Sequence, residues 1–209
     1  MTIQQTTTTY KEITLTVPSN VYAPLEDSSM LADAVSREAY GQVLDMGCGS
    51  GIQAITAAKK NEVLKVTAAD FSPHALRAAK ANAKRNKVDK KIKFIQTNLF
   101  KKLRGKKFNT IIFNPPYLPV DERDEGIEKF TRATWDGGKD GRKLLDPFLQ
   151  KFDNHLQPNG VLLLVQSSLN NPKKTNQILK QKGYVVKRVA HSKFFFEELY
   201  IIKATKKGK

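Results

Sequence analysis

The sequence has 209 residues, of which 40% are hydrophobic and 27% charged, and this composition excludes an intrinsically disordered chain. Its single cysteine, Cys48, excludes an intramolecular disulfide and a multi-cysteine zinc site, and we predict no metal site of any kind. The formal net charge is +16, and no stretch is long and apolar enough to span a membrane, so we expect a cytoplasmic globular protein with an unexplained excess of positive charge.

Hydrophobic periodicity and turn residues predict strands that alternate with helices along most of the chain. Residues 1–10 are polar and are expected to be disordered. The predicted elements that follow are a strand at 11–17, a helix at 27–40, a strand at 43–46, a helix ending near 60, a strand at 64–69, a helix at 72–87, strands at 92–96 and 108–113, a helix at 141–155, a strand at 161–165, a helix at 171–182, and strands at 184–190 and 199–203.

This alternation predicts an α/β fold of one domain over residues 1–209. It is a doubly wound, Rossmann-like, seven-stranded and mostly parallel sheet with helices on both faces. The last two strands have no helix between them, so the final strand is expected to be antiparallel. The strand at 92–96 is expected at an edge of the sheet.

Three glycines, Gly47, Gly49 and Gly51, follow the first strand of this sheet, and Asp70 ends the next one. Glycines at such a turn allow unusual dihedral angles and close approach of a ligand, and the acid is placed to accept hydrogen bonds from ribose hydroxyls. The dinucleotide pattern needs a further glycine where this chain has Ile52. The loop therefore favours S-adenosylmethionine over a nicotinamide cofactor.

The sequence Asn114-Pro115-Pro116-Tyr117 falls at the end of the strand at 108–113, at the edge of the sheet where ligands bind. Two prolines stiffen the turn, so that the Asn114 side chain and the Pro115 carbonyl can accept both hydrogens of a planar NH2 group. Tyr117 offers a flat face for a planar substrate. This arrangement would polarise a weakly nucleophilic nitrogen and aim its lone pair at a methyl group. No histidine base is predicted.

Further segments carry a resemblance to a known family. Residues 21–28 (VYAPLEDS), residues 135–142 (WDGGKDGR) and the run Glu197–Leu199, together with Asn114–Tyr117, resemble the HemK family of protein-(glutamine-N5) methyltransferases in its short archaeal and eukaryotic form.

The resemblance implies roles for cofactor-binding residues. Asp45, Gly47 and Gly49 would contact the methionine end of S-adenosylmethionine with Ser28 near it, and Asp70 would bind the ribose. At the adenine amino group the family usually has an acid followed by Leu or Phe, whereas this chain has Asn98 and Leu99.

The resemblance also implies a substrate, the glutamine of the Gly-Gly-Gln loop in class-1 translation release factors, and a small zinc-binding activator subunit as partner. Pro116, Tyr117 and Asn114 would contact the substrate, and Trp135 either lines that pocket or packs its loop. An RNA N6-adenine or N4-cytosine methyltransferase is an alternative function that the charge of +16 favours, and RNA or the ribosome is kept open as a partner. A subunit that binds the cofactor without catalysis is a third.

Charge and aromatic residues are unevenly distributed. Residues 80–107 contain 12 basic side chains and one acid, Asp89, whereas residues 121–128 contain five acids and are expected to rim the site, where they could attract a basic peptide. The lysines near the strand at 92–96 either protect a sheet edge or mark where an acidic activator adds a strand. The three phenylalanines Phe194–Phe196 are expected in the core.

Overall fold

A computed structural model describes residues 4–119 and 136–206. The strands β1 to β9 are, in chain order, Gln5–Tyr10, Ile13–Pro18, Gly41–Met46, Val63–Asp70, Ile92–Gln96, Phe108–Phe113, Leu156–Ser167, Tyr184–Lys193 and Glu198–Lys206. The helices α1 to α5 are Glu26–Glu38, Ile52–Ala58, Pro73–Arg85, Leu145–Lys151 and Pro172–Gln181. Ser72 caps α3 by accepting a hydrogen bond from Ala75, with Pro73 in the first position, as the sequence predicts.

The main sheet has the strand order β5-β4-β3-β6-β7-β9-β8. Strands β3 to β7 pair in parallel, and β9 is inserted antiparallel between β7 and β8. This confirms the predicted fold, including the edge position of β5. After β5 the chain crosses back and β6 pairs with β3, so the direction of winding reverses at β3. The carboxyl ends of β3 and β6 therefore lie side by side, with Met46 opposite Phe113.

Helices cover both faces of the sheet because its central strands are apolar on both sides. On β3, Val43 belongs to the core beneath α1, α2 and α3, and the next residue, Leu44, belongs to the core beneath α4 and α5. Among the described residues, no helix combines the length and the apolar character that crossing a bilayer requires.

The expectation that residues 1–10 are disordered is wrong for Gln5–Tyr10, which form β1 and pair antiparallel with β2. The other edge of β2 is attached to α3 by two asparagines, since Asn82 and Asn86 each accept from and donate to the backbone of β2. These tertiary hydrogen bonds hold the hairpin in place, and the β-branched threonines of β1 suit an extended strand.

Two further expectations are corrected. The helix predicted at 141–155 is shorter, because Pro147 is tolerated only in a first helical turn, so α4 starts at Leu145 and gives way to a 3-10 turn at Phe152–His155. The three phenylalanines Phe194–Phe196 are exposed in the turn between β8 and β9 instead of lying in the core.

Candidate active site

A cavity of about 550 Å³ opens at the carboxyl edge of the sheet, where the loops after β3, β4 and β6 meet. Its size is in the range of pockets that bind small molecules. Of the residues predicted for the site, the structure brings to this cavity Ser28, Asp45, Gly47, Gly49, Asp70, Asn98, Leu99, Asn114, Pro115, Pro116 and Tyr117. Trp135 and the acidic run at 121–128 lie outside the described residues.

The glycine loop, residues 47–51, has the left-handed backbone that its sequence predicts, with φ of +66° at Gly47, +52° at Gly49 and +94° at Gly51. A side chain at Gly49 would meet no protein atom within 4 Å, so this part of the loop faces open space. Gly51 does not line the cavity. A Cβ there would lie 3.1 Å from Ala79, so this glycine instead allows α2 to pack closely on α3.

Two carboxylates sit below the loop. Asp70 accepts hydrogen bonds from the backbone N–H groups of Gly49 and Ser72 at 3.0 and 2.8 Å, and burial raises its pKa. Asp45 accepts from the Ala54 N–H at 2.9 Å, and burial, with the charge of Asp70 adding to it, raises the pKa of Asp45 to about 8. This pair favours a ligand that brings positive charge and hydroxyl donors.

Asn114 is oriented by a buried acid that the sequence reasoning did not assign to the site. Asp27, at the start of α1, accepts a hydrogen bond from Asn114 Nδ2 at 2.8 Å, and it also accepts from the Tyr22 hydroxyl and the Ser28 N–H. The remaining amide oxygen, Asn114 Oδ1, is buried and has no hydrogen-bond partner among the described residues. It is therefore available to accept a hydrogen bond from a ligand. Asp27 belongs to the segment 21–28 that carries the family resemblance, and this segment was the one signal in the sequence that could have pointed to it.

A glycine-containing loop supports the Asn114–Tyr117 turn from behind. The Gly137 N–H donates to the Leu118 carbonyl at 2.9 Å, and a Cβ at Gly141 would overlap the Tyr117 carbonyl oxygen. Gly141 also has a left-handed φ of +69°. The loop thus fits against the turn only because both positions lack a side chain.

Arg142 holds this loop to the rest of the fold. Its guanidinium is almost fully buried and forms an ion pair with Asp146 at 2.6 Å. It also donates to the Asn170 carbonyl at 2.5 Å and to the Thr175 hydroxyl at 2.9 Å. A buried arginine with these partners indicates a structural role for the segment 136–142, whose relation to the site was predicted only by resemblance.

Two tyrosines complete the rim near Asn114. Burial, together with the nearby charges of Asp27 and Glu197, raises the pKa of Tyr117, and the same causes raise the pKa of Tyr22. Both phenols are neutral, so they offer hydrogen bonding and flat surfaces rather than a base. Tyr22 and Gln53 line the cavity and were not predicted for it.

Comparison with known proteins identifies the family. The chain matches the family described as "Methyltransferase small domain" over residues 14–133. A protein of Methanocaldococcus jannaschii, provisionally named a protein N5-glutamine methyltransferase, is 42% identical over 92% of this chain and 95% of its own length. Human methyltransferase HEMK2 is 32% identical over 90% of this chain and 91% of its own.

Solved structures agree. The E. cuniculi Mtq2–Trm112 complex, described as responsible for methylation of the eRF1 termination factor, matches with a TM-score of 0.68 and 26% identity over 90% of this chain and 99% of that chain. M. jannaschii Trm5 with adenosine matches with a TM-score of 0.71 at 19% identity over 100% of this chain and 58% of that chain, which shows a shared fold alone. The resemblance seen in the sequence is thereby confirmed: the chain belongs to the methyltransferase small domain family, in the HemK group that includes the protein N5-glutamine methyltransferases.

Proposed function

We propose that this protein transfers a methyl group from S-adenosylmethionine to the side-chain amide nitrogen of a protein glutamine, in the Gly-Gly-Gln loop of a class-1 translation release factor. The observation that carries the proposal is the buried, unpartnered Oδ1 of Asn114 in the cavity, with its Nδ2 held by Asp27. The names of the relatives support the choice of acceptor, and the proposal assigns the protein to the cytoplasm, where release factors act.

The cavity suits S-adenosylmethionine. Besides Asn114, Gln53 has a buried amide oxygen without a partner among the described residues, and the open face of Gly49 leaves room for a ligand against the backbone. Asp45 and Asp70 supply the carboxylates that a positively charged nucleoside would require. When bound, the cofactor supplies an electrophilic methyl group. Asp45, Gly47, Gly49 and Ser28 would hold its methionine end, Asp70 its ribose, and Asn98 and Leu99 its adenine.

The residues of the turn would act on the substrate by positioning. An amide nitrogen is a weak nucleophile because its lone pair is delocalised. Asn114 Oδ1 and the Pro115 carbonyl would accept its two N–H groups, Tyr117 would pack on the planar amide, and Pro116 would keep the turn rigid. This arrangement would direct the lone pair of the nitrogen toward the methyl group that the cofactor supplies. On methylation the sulfur–methyl bond would break to leave S-adenosylhomocysteine, and the nitrogen would give up one proton to water, so no strong base would be needed.

A small activator subunit is part of the proposal. The related Mtq2 is solved in complex with Trm112. In this chain β5 is an edge strand of the main sheet, and Lys90 and Lys93 are exposed beside its free edge. An acidic partner that adds a strand would find both backbone hydrogen bonds and opposite charge there.

The test is methyl transfer from radiolabelled S-adenosylmethionine to a recombinant class-1 release factor, supplemented with the activator. We expect incorporation into the wild-type release factor and none into a variant whose acceptor glutamine is replaced by alanine. Incorporation that persists in this variant would overturn the proposal.

RNA methylation is the second candidate, because a net charge of +16 suits a nucleic-acid partner. It predicts incorporation into protein-free ribosomal or transfer RNA that ribonuclease removes. The same cell extract, divided into protein and RNA fractions, decides between the two acceptors in one experiment.

A further inference from the structure

The turn between β8 and β9, which we call the aromatic turn (Phe194–Phe196), exposes apolar surface that the catalytic site does not use. Phe195 is 94% exposed and Phe196 is 84% exposed. Their rings contact each other edge to face, with centroids 4.7 Å apart. Together they present on the order of 300 Å² of apolar surface, an area at which exposed patches mark binding sites.

The aromatic turn is held firmly by hydrogen bonds. The Phe194 N–H donates to the Glu197 carbonyl at 2.7 Å and closes the turn. The Ser167 hydroxyl donates to the Glu197 carboxylate at 2.5 Å, and the Glu198 N–H donates to the Ser168 hydroxyl at 2.9 Å. These bonds fix the base of the turn, so binding there costs little further backbone entropy.

The aromatic turn lies at the same edge of the sheet as the cavity. It follows the carboxyl end of β8, which is the edge of the sheet where the cavity opens, and Glu197 is close enough to Tyr117 and Tyr22 to influence both phenols. Leu169, in the turn after β7, is 45% exposed and lies at this edge too. The exposed rings and the entrance to the site are therefore at the same edge of the sheet.

A short side chain such as glutamine reaches Asn114 only if the backbone that carries it lies close to the cavity entrance, at this edge of the sheet. We propose that the aromatic turn, with Leu169, binds an apolar segment of the substrate protein that flanks the acceptor glutamine. This inference rests on the proposed function and adds a docking surface to it. A nucleic-acid backbone fits less well, because the carboxylates of Glu197 and Glu198 follow the rings directly and repel phosphate.

The experiment compares wild-type protein with the double variant F195S/F196S. Its matched control is L64S. Leu64 is 73% exposed and lies at the amino end of β4, whereas the cavity and the aromatic turn lie at the carboxyl ends of β4 and β8. All three full-length proteins are assayed with purified release factor and activator, and the affinity of each for S-adenosylmethionine is measured by calorimetry. Because the rings are solvent-exposed, melting temperatures are expected to match.

We expect F195S/F196S to raise KM for the release factor at least tenfold, with kcat and cofactor affinity unchanged, since exposed aromatic anchors dominate such interfaces. L64S should behave as wild type. An unchanged KM, or a loss confined to kcat, overturns this inference but not the proposed function. A wild-type protein that methylates no release factor overturns both. A dimer in light scattering that the double variant dissociates, or RNA binding that it abolishes, assigns the turn to a second copy or to RNA and also overturns the inference.

Discussion

Asp27 determines which way the amide of Asn114 faces. Asp27 accepts a hydrogen bond from Asn114 Nδ2, so the NH2 end of Asn114 points toward the acid and leaves the buried amide oxygen for a ligand. The same asparagine without this acid could present either end to the substrate. Asp27 is thus a positioning residue, and its own orientation depends on Tyr22 and the Ser28 N–H.

Replacing Asp27 by asparagine should lower kcat roughly 100-fold, because the new side chain carries an NH2 donor as well as an acceptor oxygen and no longer forces the oxygen of Asn114 toward the cavity, so the substrate nitrogen is no longer aimed correctly. The affinity for S-adenosylmethionine should change only slightly, which calorimetry would show alongside the steady-state rates. The control is Tyr22→Phe, which keeps the contact between Asp27 and Asn114 and should cost much less. A D27N protein with the wild-type kcat would contradict the positioning role.

Asp45 makes the stability of the cofactor-free protein depend on pH. Its pKa is raised to about 8 in the folded state from 3.8, so between these values the folded protein binds more protons than the unfolded chain. The free energy of unfolding must therefore fall as pH rises, by about 3 kcal/mol between pH 5 and pH 8 from this group. The loss would be complete above pH 8.

Urea unfolding of wild-type and Asp45→Asn protein across this pH range tests the assignment. Asparagine keeps an acceptor for the Ala54 N–H but does not titrate, so the variant should lack this part of the pH dependence and be the more stable protein at pH 8. Parallel curves for the two proteins would show that Asp45 is ionised throughout.

At the level of elements, the loop at 136–142 determines where the Asn114–Tyr117 turn can lie. Gly141→Ala should destabilise the protein by about 3 kcal/mol or more and reduce methyl transfer, because the new Cβ overlaps the Tyr117 carbonyl oxygen and the backbone is left-handed. Gly183→Ala is the matched control: φ there is +82° and no atom lies within 4 Å of the added Cβ. It should cost only about 1–2 kcal/mol of backbone strain and leave activity intact. Equal losses in urea unfolding would exclude the clash.

Local signals explain why most elements were predictable and a few were not. Ser72 and Pro73 start α3, and the glycine loop and the Asn114–Tyr117 turn end strands, so these features could be read from neighbouring residues alone. Gln5–Tyr10 could not, since its strand depends on asparagines of α3 far along the chain. Tertiary contact likewise decides that Gly51 packs on Ala79 and that Asp27 meets Asn114.

Over the whole molecule, the positive charge is separated from the catalytic cavity. The described lining of the cavity includes the acids Asp27, Asp45, Asp70 and Asp136, and Lys143, which also lines it, pairs with Asp136 at 2.9 Å. The 12 basic residues of 80–107 instead lie on α3, in the connection from α3 to β5, on β5 and in the loop before β6. The net charge therefore favours docking of a partner at one edge of the sheet over reading of RNA bases in the site.

This separation predicts that reversing charges at the β5 edge weakens activator binding while leaving cofactor affinity unchanged. Lys91 is excluded from the variant because it donates to the Lys60 carbonyl, so the change is K90E/K93E. Affinity for the activator should fall roughly tenfold, and its salt dependence should weaken. The control, K187E, places a new acid on β8, the other edge strand of the same sheet. Affinity is measured by titration at two ionic strengths. An equal loss of affinity in both variants would attribute activator binding to net charge. No loss of affinity in either variant would mean that the β5 lysines only protect an open sheet edge.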